Sequence, residues 1–129
     1  MKYVKYTFAI MMVTALFALF KVDAIGIGYL DVDPLGLAYT SEHQKLTSNP
    51  QYAKMTSCYG VLTGVDFAVD GRGIKTSDNG GVGDWIELYG YDRELTGSRM
   101  RTVNAKYKLN LKAKTLIENC RFVGEWKFN

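Results

Sequence analysis

This 129-residue sequence has few residues suited to imidazole or thiol catalysis or to binding transition metals. It contains one histidine, His43, and two cysteines, Cys58 and Cys120. His43 lies in a polar segment with no nucleophile motif, so we expect a solvated surface histidine rather than the base of a catalytic triad. The three side chains are far apart in the sequence, unlike the closely spaced ligands of a typical zinc site. We therefore expect a protein that is not an enzyme and that holds no metal or cofactor.

After residue 24 the sequence lacks any long apolar run. The one such run, Thr7–Phe20, follows the basic residues Lys2 and Lys5 and precedes small residues, the pattern of a secretory signal peptide. It is shorter than the roughly 20 residues that span a bilayer, which disfavours an uncleaved membrane anchor. We predict a signal peptide over residues 1–24 and, over residues 25–129, a single secreted, extracellular domain with no stable membrane insertion.

A strong excess of charge of one sign is also missing. The full chain has a net charge of +3, so it carries no global basic signature and we expect no nucleic-acid partner. The distribution is uneven, with five basic and ten acidic residues over 25–95, and eight basic and two acidic residues over 96–129. The basic and acidic segments could steer a charged partner toward the protein. Alternatively, their charges could pair with each other across neighbouring strands, which we favour.

The two cysteines predict a disulfide bond between Cys58 and Cys120, because an even number of cysteines in a secreted chain is usually paired. Closing a loop of about 60 residues contributes on the order of 4 kcal/mol in the chain-entropy model. That is a large share of the free energy of unfolding of a small domain, which is roughly 5–15 kcal/mol. The bond would also remove both thiols as candidate nucleophiles.

What the sequence does contain is strict alternation from Thr102 to Lys114. Odd positions from 103 to 113 are apolar or small, and even positions from 102 to 114 are polar. A period of two places these sets on opposite faces of a strand. Because thirteen residues would span about 43 Å, we expect a bend, a bulge or a frayed end.

The last segment repeats the alternation, with Cys120, Phe122, Trp126 and Phe128 on one face. A hairpin that turns between Thr115 and Asn119 would join it to the preceding strand, bring the apolar faces together and place Glu118 and Glu125 near the lysines.

Other strands are predicted over Ile25–Tyr29 at a sheet edge, from Tyr59 to Val69, and over Trp85–Tyr91. Asp70-Gly71 is a strong turn signal. Asn49-Pro50 predicts a helical turn through Met55, and Thr40 or Ser41 could cap another through Leu46. The sequence therefore predicts a mainly β protein, a small antiparallel β-sandwich or barrel with one or two short helical turns.

The aromatic side chains Trp85, Tyr89 and Tyr91 share one face of their predicted strand, and Ile86 and Leu88 share the other. If Ile86 and Leu88 point into the core, the rings are partly exposed beside carboxylates, as in a carbohydrate- or peptide-binding surface. If the aromatic residues form the core instead, which we favour because tryptophan is usually largely buried, their role is packing.

The lysine row, Lys106, Lys108, Lys112 and Lys114, is the second candidate binding surface. Alternate lysines could meet anionic glycans, lipid headgroups or other anionic polymers. The alternative, which we favour, is a solvated face that keeps a strand soluble and prevents edge-to-edge aggregation.

The glycine-rich segment Ser77–Asp84 lacks the lysine and hydroxyl of a phosphate-binding P-loop and the ligand spacing of an EF-hand. It is interpreted as a hairpin loop whose glycines adopt positive φ, with weak calcium binding as the alternative.

Three functions are compatible with these features. The first is a secreted, non-enzymatic β-domain that binds an unknown extracellular partner, a glycan, an anionic surface or a protein, in the manner of a defence or secreted-fluid effector. The second is a structural or self-associating extracellular protein. The third is a small hydrolase that uses carboxylates such as Asp66, Asp70 or Asp84.

Overall fold

A computed structural model describes residues 24–34, 36–77, 80–115 and 117–129. The predicted signal peptide lies outside the described residues, except for Ala24, with which the first strand begins. The strands are β1 (Ala24–Val32), β2 (Leu37–Tyr39), β3 (His43–Gln44), β4 (Tyr52–Gly60), β5 (Val69–Lys75), β6 (Gly81–Val82), β7 (Ile86–Glu87), β8 (Arg93–Glu94), β9 (Lys106–Ala113) and β10 (Cys120–Lys127).

These strands form two antiparallel sheets. A four-stranded sheet has the order β1-β10-β4-β8. A six-stranded sheet has the order β2-β9-β5-β6, with β3 also paired to β9 and β7 also paired to β5. The predicted mainly β, sandwich-like fold is confirmed, and so is the position of the first strand at a sheet edge.

The core lies between the two sheets, where the alternating apolar residues of each meet. The four-stranded sheet contributes Val32, Ala53, Cys58, Cys120, Phe122 and Trp126, and the six-stranded sheet contributes Ala38, Val69, Tyr107, Leu109, Leu111 and Ala113. Removing this much apolar surface from water is the main stabilising contribution to the fold.

The strand predicted over Thr102–Lys114 is present but shorter. β9 starts at Lys106, because the chain turns at Asn104, whose φ is +65°, and Val103 is exposed. Within β9 the odd positions are buried as predicted. One even position, Asn110, is also completely buried.

The predicted hairpin between β9 and β10 is wrong, since the two strands belong to different sheets. Their apolar faces do meet, but across the sandwich rather than side by side. Glu118 consequently lies away from the lysine row, where it accepts a hydrogen bond from Thr63 Oγ1 at 2.9 Å. Glu125 pairs with Lys54 of β4 at 3.3 Å.

The predicted helical turns are also wrong, and the described residues contain no helix. The segment after Asn49-Pro50 runs into β4, whose pairing with β10 outweighs the local helix-start signal. Gln51, predicted in that turn, is buried, accepts a hydrogen bond from Trp126 Nε1 at 3.0 Å and donates one to the Met100 carbonyl. Residues 43 and 44, predicted in the other turn, form β3.

Asp70-Gly71 is not a turn but lies inside β5, between β9 and β7. The glycines of β5 serve close packing instead. A Cβ atom at Gly71 would lie 2.9 Å from Leu88 Cδ1, and one at Gly73 would lie 2.7 Å from Met100 Sδ.

The prediction of a disulfide bond is wrong: Cys58 and Cys120 are both buried free cysteines. They lie on the neighbouring strands β4 and β10, but Cys58 is opposite Phe122 and Cys120 is opposite Gly60. Diagonal neighbours of this kind have Cα atoms about 7–8 Å apart, beyond the usual reach of a disulfide.

The uneven charge distribution is partly satisfied internally, in the direction favoured from the sequence, since five of the eight basic residues over 96–129 have carboxylate partners. Basic residues of the C-terminal third form ion pairs with acidic residues from earlier in the chain: Arg101–Glu94, Lys106–Glu42, Lys114–Asp70, Lys114–Glu87, Arg121–Asp31 and Lys127–Asp92. Across the part of the chain described here, no helix is long and apolar enough to cross a membrane.

Candidate binding surface

The outward side of the six-stranded sheet, here called the outer face, brings together the two surfaces predicted separately from the sequence. Glu87 of β7 is paired with Asp70 of β5, which is paired with Lys112 of β9. Two residues further along β5, Arg72 is paired with Asn110, and two residues beyond that Ile74 is paired with Lys108. The lysine row and the segment of Trp85 are therefore two strands apart on one face.

Next to the border strand β7, Trp85 is covered by an arginine of β5. The Arg72 guanidinium carbon lies 4.2 Å from the centroid of the Trp85 ring, and Arg72 Nε donates a hydrogen bond to Asn110 Oδ1 at 2.8 Å. The Asn110 amide in turn donates to the Ala38 carbonyl at 3.2 Å. Trp85 is half-buried, so it is neither a core residue nor an open stacking platform.

The open aromatic platform is the pair Tyr89 and Tyr91. Their rings stack with centroids 5.5 Å apart and an interplanar angle of 19°. Tyr89 is 37% exposed and Tyr91 is 63% exposed, because Leu88 between β7 and Tyr89 takes the buried position. The Arg93 guanidinium lies 5.2 Å from the Tyr89 centroid. The favoured interpretation of these rings as core is therefore wrong for Tyr89 and Tyr91, because Leu88 takes the buried position and the rings lie outside.

A carboxylate–ammonium network connects this platform to the sheet. Lys114 Nζ lies 3.1 Å from Glu87 Oε1 and 3.2 Å from Asp70 Oδ1. The Tyr89 hydroxyl donates to the other oxygen of Glu87. These hydrogen bonds, that of Tyr89 first, lower the pKa of Glu87, and the two carboxylates raise the pKa of Lys114.

The lysine row divides into paired and unpaired members. Lys106 lies 3.8 Å from Glu42, and Lys114 is held by its two carboxylates. Within the described residues, Lys108 and Lys112 have no carboxylate partner. The cationic part of the outer face is therefore these two lysines together with Arg72.

The cysteine pair lies in the core and not at this surface. Burial, followed by the neighbouring Cys120 thiol, raises the pKa of the Cys58 thiol to about 12, and burial also raises the pKa of Cys120. Thiols in this state carry little thiolate at neutral pH, so neither is an activated nucleophile.

The prediction that His43 is a solvated surface residue is wrong, because its ring is half-buried against two aromatic side chains. Its ring stacks on Phe128 with centroids 4.8 Å apart and meets Trp126 edge-on at 5.7 Å. Its Nε2 atom lies 3.0 Å from Ser41 Oγ. A serine–histidine contact alone lacks the acid that orients the ring in a triad, and the described residues provide none at the other nitrogen.

The carboxylates proposed for hydrolysis do not form a catalytic pair. Asp66 is exposed near the end of β4, Asp84 accepts a hydrogen bond from Thr96 at 3.0 Å, and Asp70 is bound to Lys114. Asp70 does neighbour Glu87, but Lys114 bridges them and the pKa of Glu87 is lowered, whereas a general acid needs a raised pKa.

Residues 78 and 79 of the proposed calcium loop lie outside the described residues. The loop does join a hairpin, β5 to β6, and Gly80 has a φ of +64°, as expected for a hairpin glycine. In the part of the chain that the structure describes, no group of three or more His, Cys, Asp or Glu residues could hold a metal ion.

Sequence reasoning missed four members of this surface: Tyr39, Arg72, Arg93 and Asn110. Tyr39 of β2 is paired with Asn110 and is 46% exposed. Arg72 was hidden by the mistaken turn at Asp70-Gly71, and Asn110 was counted as a solvated residue. Alternation of Asp70, Arg72 and Ile74 between glycines was the available signal for an outward-facing set.

No protein-family model matches the chain, and neither a curated protein nor a solved structure matches it significantly.

Proposed function

We propose that this protein is a secreted, non-enzymatic domain that binds an acidic glycan through the outer face of its six-stranded sheet. The observation that carries the proposal is the position of Lys108 and Lys112, which have no carboxylate partner among the described residues, on the same face as the aromatic segment. Neither feature alone would favour a glycan over other partners.

The cationic groups of this face suit carboxylate or sulfate groups spaced along a chain. Arg72 is held rigid between Trp85 and Asn110, so it is preorganised for a planar anion. Lys108 and Lys112 occupy alternate outward positions on β9, with Asn110 between them. Because Lys106 and Lys114 are neutralised by carboxylates, the face presents a limited positive patch rather than a broad one, as expected for a specific site.

The tyrosine pair suits the rings of a sugar. Aromatic faces stack on the apolar face of a pyranose, and neighbouring carboxylates and arginines bind hydroxyl groups. Tyr91 is the most exposed ring in the platform, and Glu87 and Arg93 flank its partner Tyr89.

The test is affinity for three polysaccharides, one sulfated, one rich in uronic acid and one neutral, measured by calorimetry at low and at raised salt. We expect binding to the two acidic polymers that weakens with salt. The double substitution Lys108→Ala with Lys112→Ala should reduce affinity about tenfold, and Tyr91→Ala by a similar factor.

Lys54→Ala is the matched control, because Lys54 is a lysine of a central strand in the other sheet and should leave affinity unchanged. Equal binding to the neutral polymer, or acidic-polymer binding that survives the double lysine substitution, would refute the proposal.

A further inference from the structure

A groove at one end of the sandwich combines an apolar rim with a buried carboxylate. It has a volume of about 330 Å³ and is lined by residues from the connections β1–β2, β4–β5 and β9–β10. None of the outer-face residues named above lines it. Its lining residues are Pro34, Val61, Leu62, Ile117, Glu118 and Asn119.

The rim contains the most exposed large apolar side chains of the described residues. Leu62 is 84% exposed and Ile117 is 78% exposed, and Val61 beside Leu62 is exposed as well. Single exposed apolar residues are normal on a surface, but a group of them around a concave surface is typical of a binding site.

The acidic group of the groove is built into the fold. Glu118 is only 5% exposed, and its Oε1 atom accepts a hydrogen bond from Thr63 Oγ1 at 2.9 Å. Gly60 makes room for this group, because a Cβ atom there would overlap the Glu118 carboxylate. The loop that carries Thr63 is attached to the β9–β10 connection by a backbone bond from Val61 to the Asn119 carbonyl at 2.9 Å. The carboxylate is therefore held in one position.

Glu118 has no positively charged partner among the described residues. Its carboxylate is bonded only to Thr63, through Oε1, and no lysine or arginine pairs with it. The second oxygen, Oε2, is accessible, since every fully buried side-chain oxygen described has a hydrogen-bond partner. Buried carboxylates are usually paired with a cation, because removing a lone charge from water is costly. The groove therefore provides a negative charge and apolar surface without a counter-charge.

We propose that this groove binds a small organic cation, a protonated amine that carries an apolar substituent. The ammonium group donates to Glu118 Oε2, and the substituent packs against Leu62 and Ile117. The volume suits a small molecule, since ligand pockets span roughly 300–1,000 Å³. The Glu118 charge disfavours an anion, and a neutral apolar molecule would cover the carboxylate without compensating its charge. The site does not depend on the proposed glycan binding.

The test is titration of the isotope-labelled protein with phenethylammonium, followed by NMR, in parallel with the uncharged analogue phenethyl alcohol. We expect the amine to cause saturable shifts in the amide signals of Val61, Leu62 and Ile117. Its affinity should exceed that of the alcohol at least about tenfold, because only the ammonium compensates the buried charge.

Three variants make the result specific. Glu118→Gln keeps an acceptor for Thr63 but removes the charge, and it should weaken amine binding at least about tenfold. Leu62→Ser should weaken it at least about threefold through lost apolar contact. Its thermal unfolding should match the wild type, since Leu62 is exposed. Glu125→Gln, which removes the same charge from an ion pair with Lys54, is the matched control and should leave amine affinity unchanged.

The proposal is overturned if the wild type shows no shifts, if the alcohol binds as tightly as the amine, or if folded Glu118→Gln protein binds the amine normally. Leu62→Ser keeps the proposal testable if Glu118→Gln does not fold, and unchanged amine binding by Leu62→Ser would also overturn it. Self-association that Leu62→Ser abolishes, without amine binding by the wild type, would assign the groove to a second copy of the chain instead.

Discussion

The two faces of the six-stranded sheet are held by different forces, although the same strands supply both. On the inner face, Leu109, Leu111 and Tyr107 are completely buried, and Gly71 and Gly73 admit Leu88 and Met100 at close range. On the outer face, side chains are held by ion pairs, a cation–π contact and stacked rings. The difference teaches that one alternating sequence can build an apolar core on one side and a fixed arrangement of charged and aromatic groups on the other.

The outer face still differs from an ordinary solvated surface. Asn110 is completely buried there and forms hydrogen bonds with Arg72 and with the Ala38 carbonyl. The bond from Arg72 to Asn110 fixes the guanidinium over Trp85. Contacts of this kind contribute little to stability compared with the core, but they hold the guanidinium group in one orientation.

The largest effect should come from the inner face of β9. Leu111→Ala removes a completely buried side chain and should lower the free energy of unfolding by about 2–5 kcal/mol. The neighbouring substitution Lys112→Ala, on the exposed outer face, should change it by less than about 0.5 kcal/mol. Denaturant unfolding of both variants tests the contrast, and equal losses would mean that the two faces are wrongly assigned.

An intermediate effect should appear in alkaline solution through Cys58. Its pKa is raised from the ordinary value of 9.0 to about 12, so its contribution to stability is complete below pH 9 and is lost as the pH rises toward 12. The stability of the wild type relative to Cys58→Ala should therefore fall over this range, as measured by thermal melts at each pH. A difference that stays constant would show that the thiol is not buried, because exposed lysines and tyrosines titrate equally in both proteins.

The smallest effect should come from the outer-face pair Glu87 and Lys114. Because the pKa of Glu87 is lowered, its stabilising contribution is present above the ordinary glutamate pKa and is lost as the pH falls through the lowered value. Lys114→Ala should therefore lower the free energy of unfolding at neutral pH by less than Leu111→Ala does. It should also make the loss of stability in acid less steep. Lys112→Ala, which has no carboxylate partner in the described residues, should leave the acid profile unchanged.

Some structural features could be predicted because they depend on local alternation. The buried face of β10 and the odd positions of β9 follow directly from the period of two in the sequence. The exposure of Tyr89 and Tyr91 was one of two arrangements compatible with the sequence, and the burial of Leu88 decides between them.

Other features could not be predicted because they depend on which strands become neighbours. Gly71 and Gly73 resemble turn residues in the sequence, and only the approach of Leu88 and Met100 explains them as packing positions inside β5. In the same way, the cysteines lie on neighbouring strands but two residues out of register, which no spacing in the sequence reveals.

The sequence by itself determined the β class of this protein and the polarity of each strand face, because side-chain direction alternates along any extended backbone. The tertiary structure alone decided that β9 and β10 face each other across a core, that β1 borders its sheet among the described strands, and that Lys112 shares a surface with Glu87 and Tyr89. The physical reason is that pairing between distant strands depends on how whole sheets pack. The local propensity of a segment does not specify which strand it pairs with.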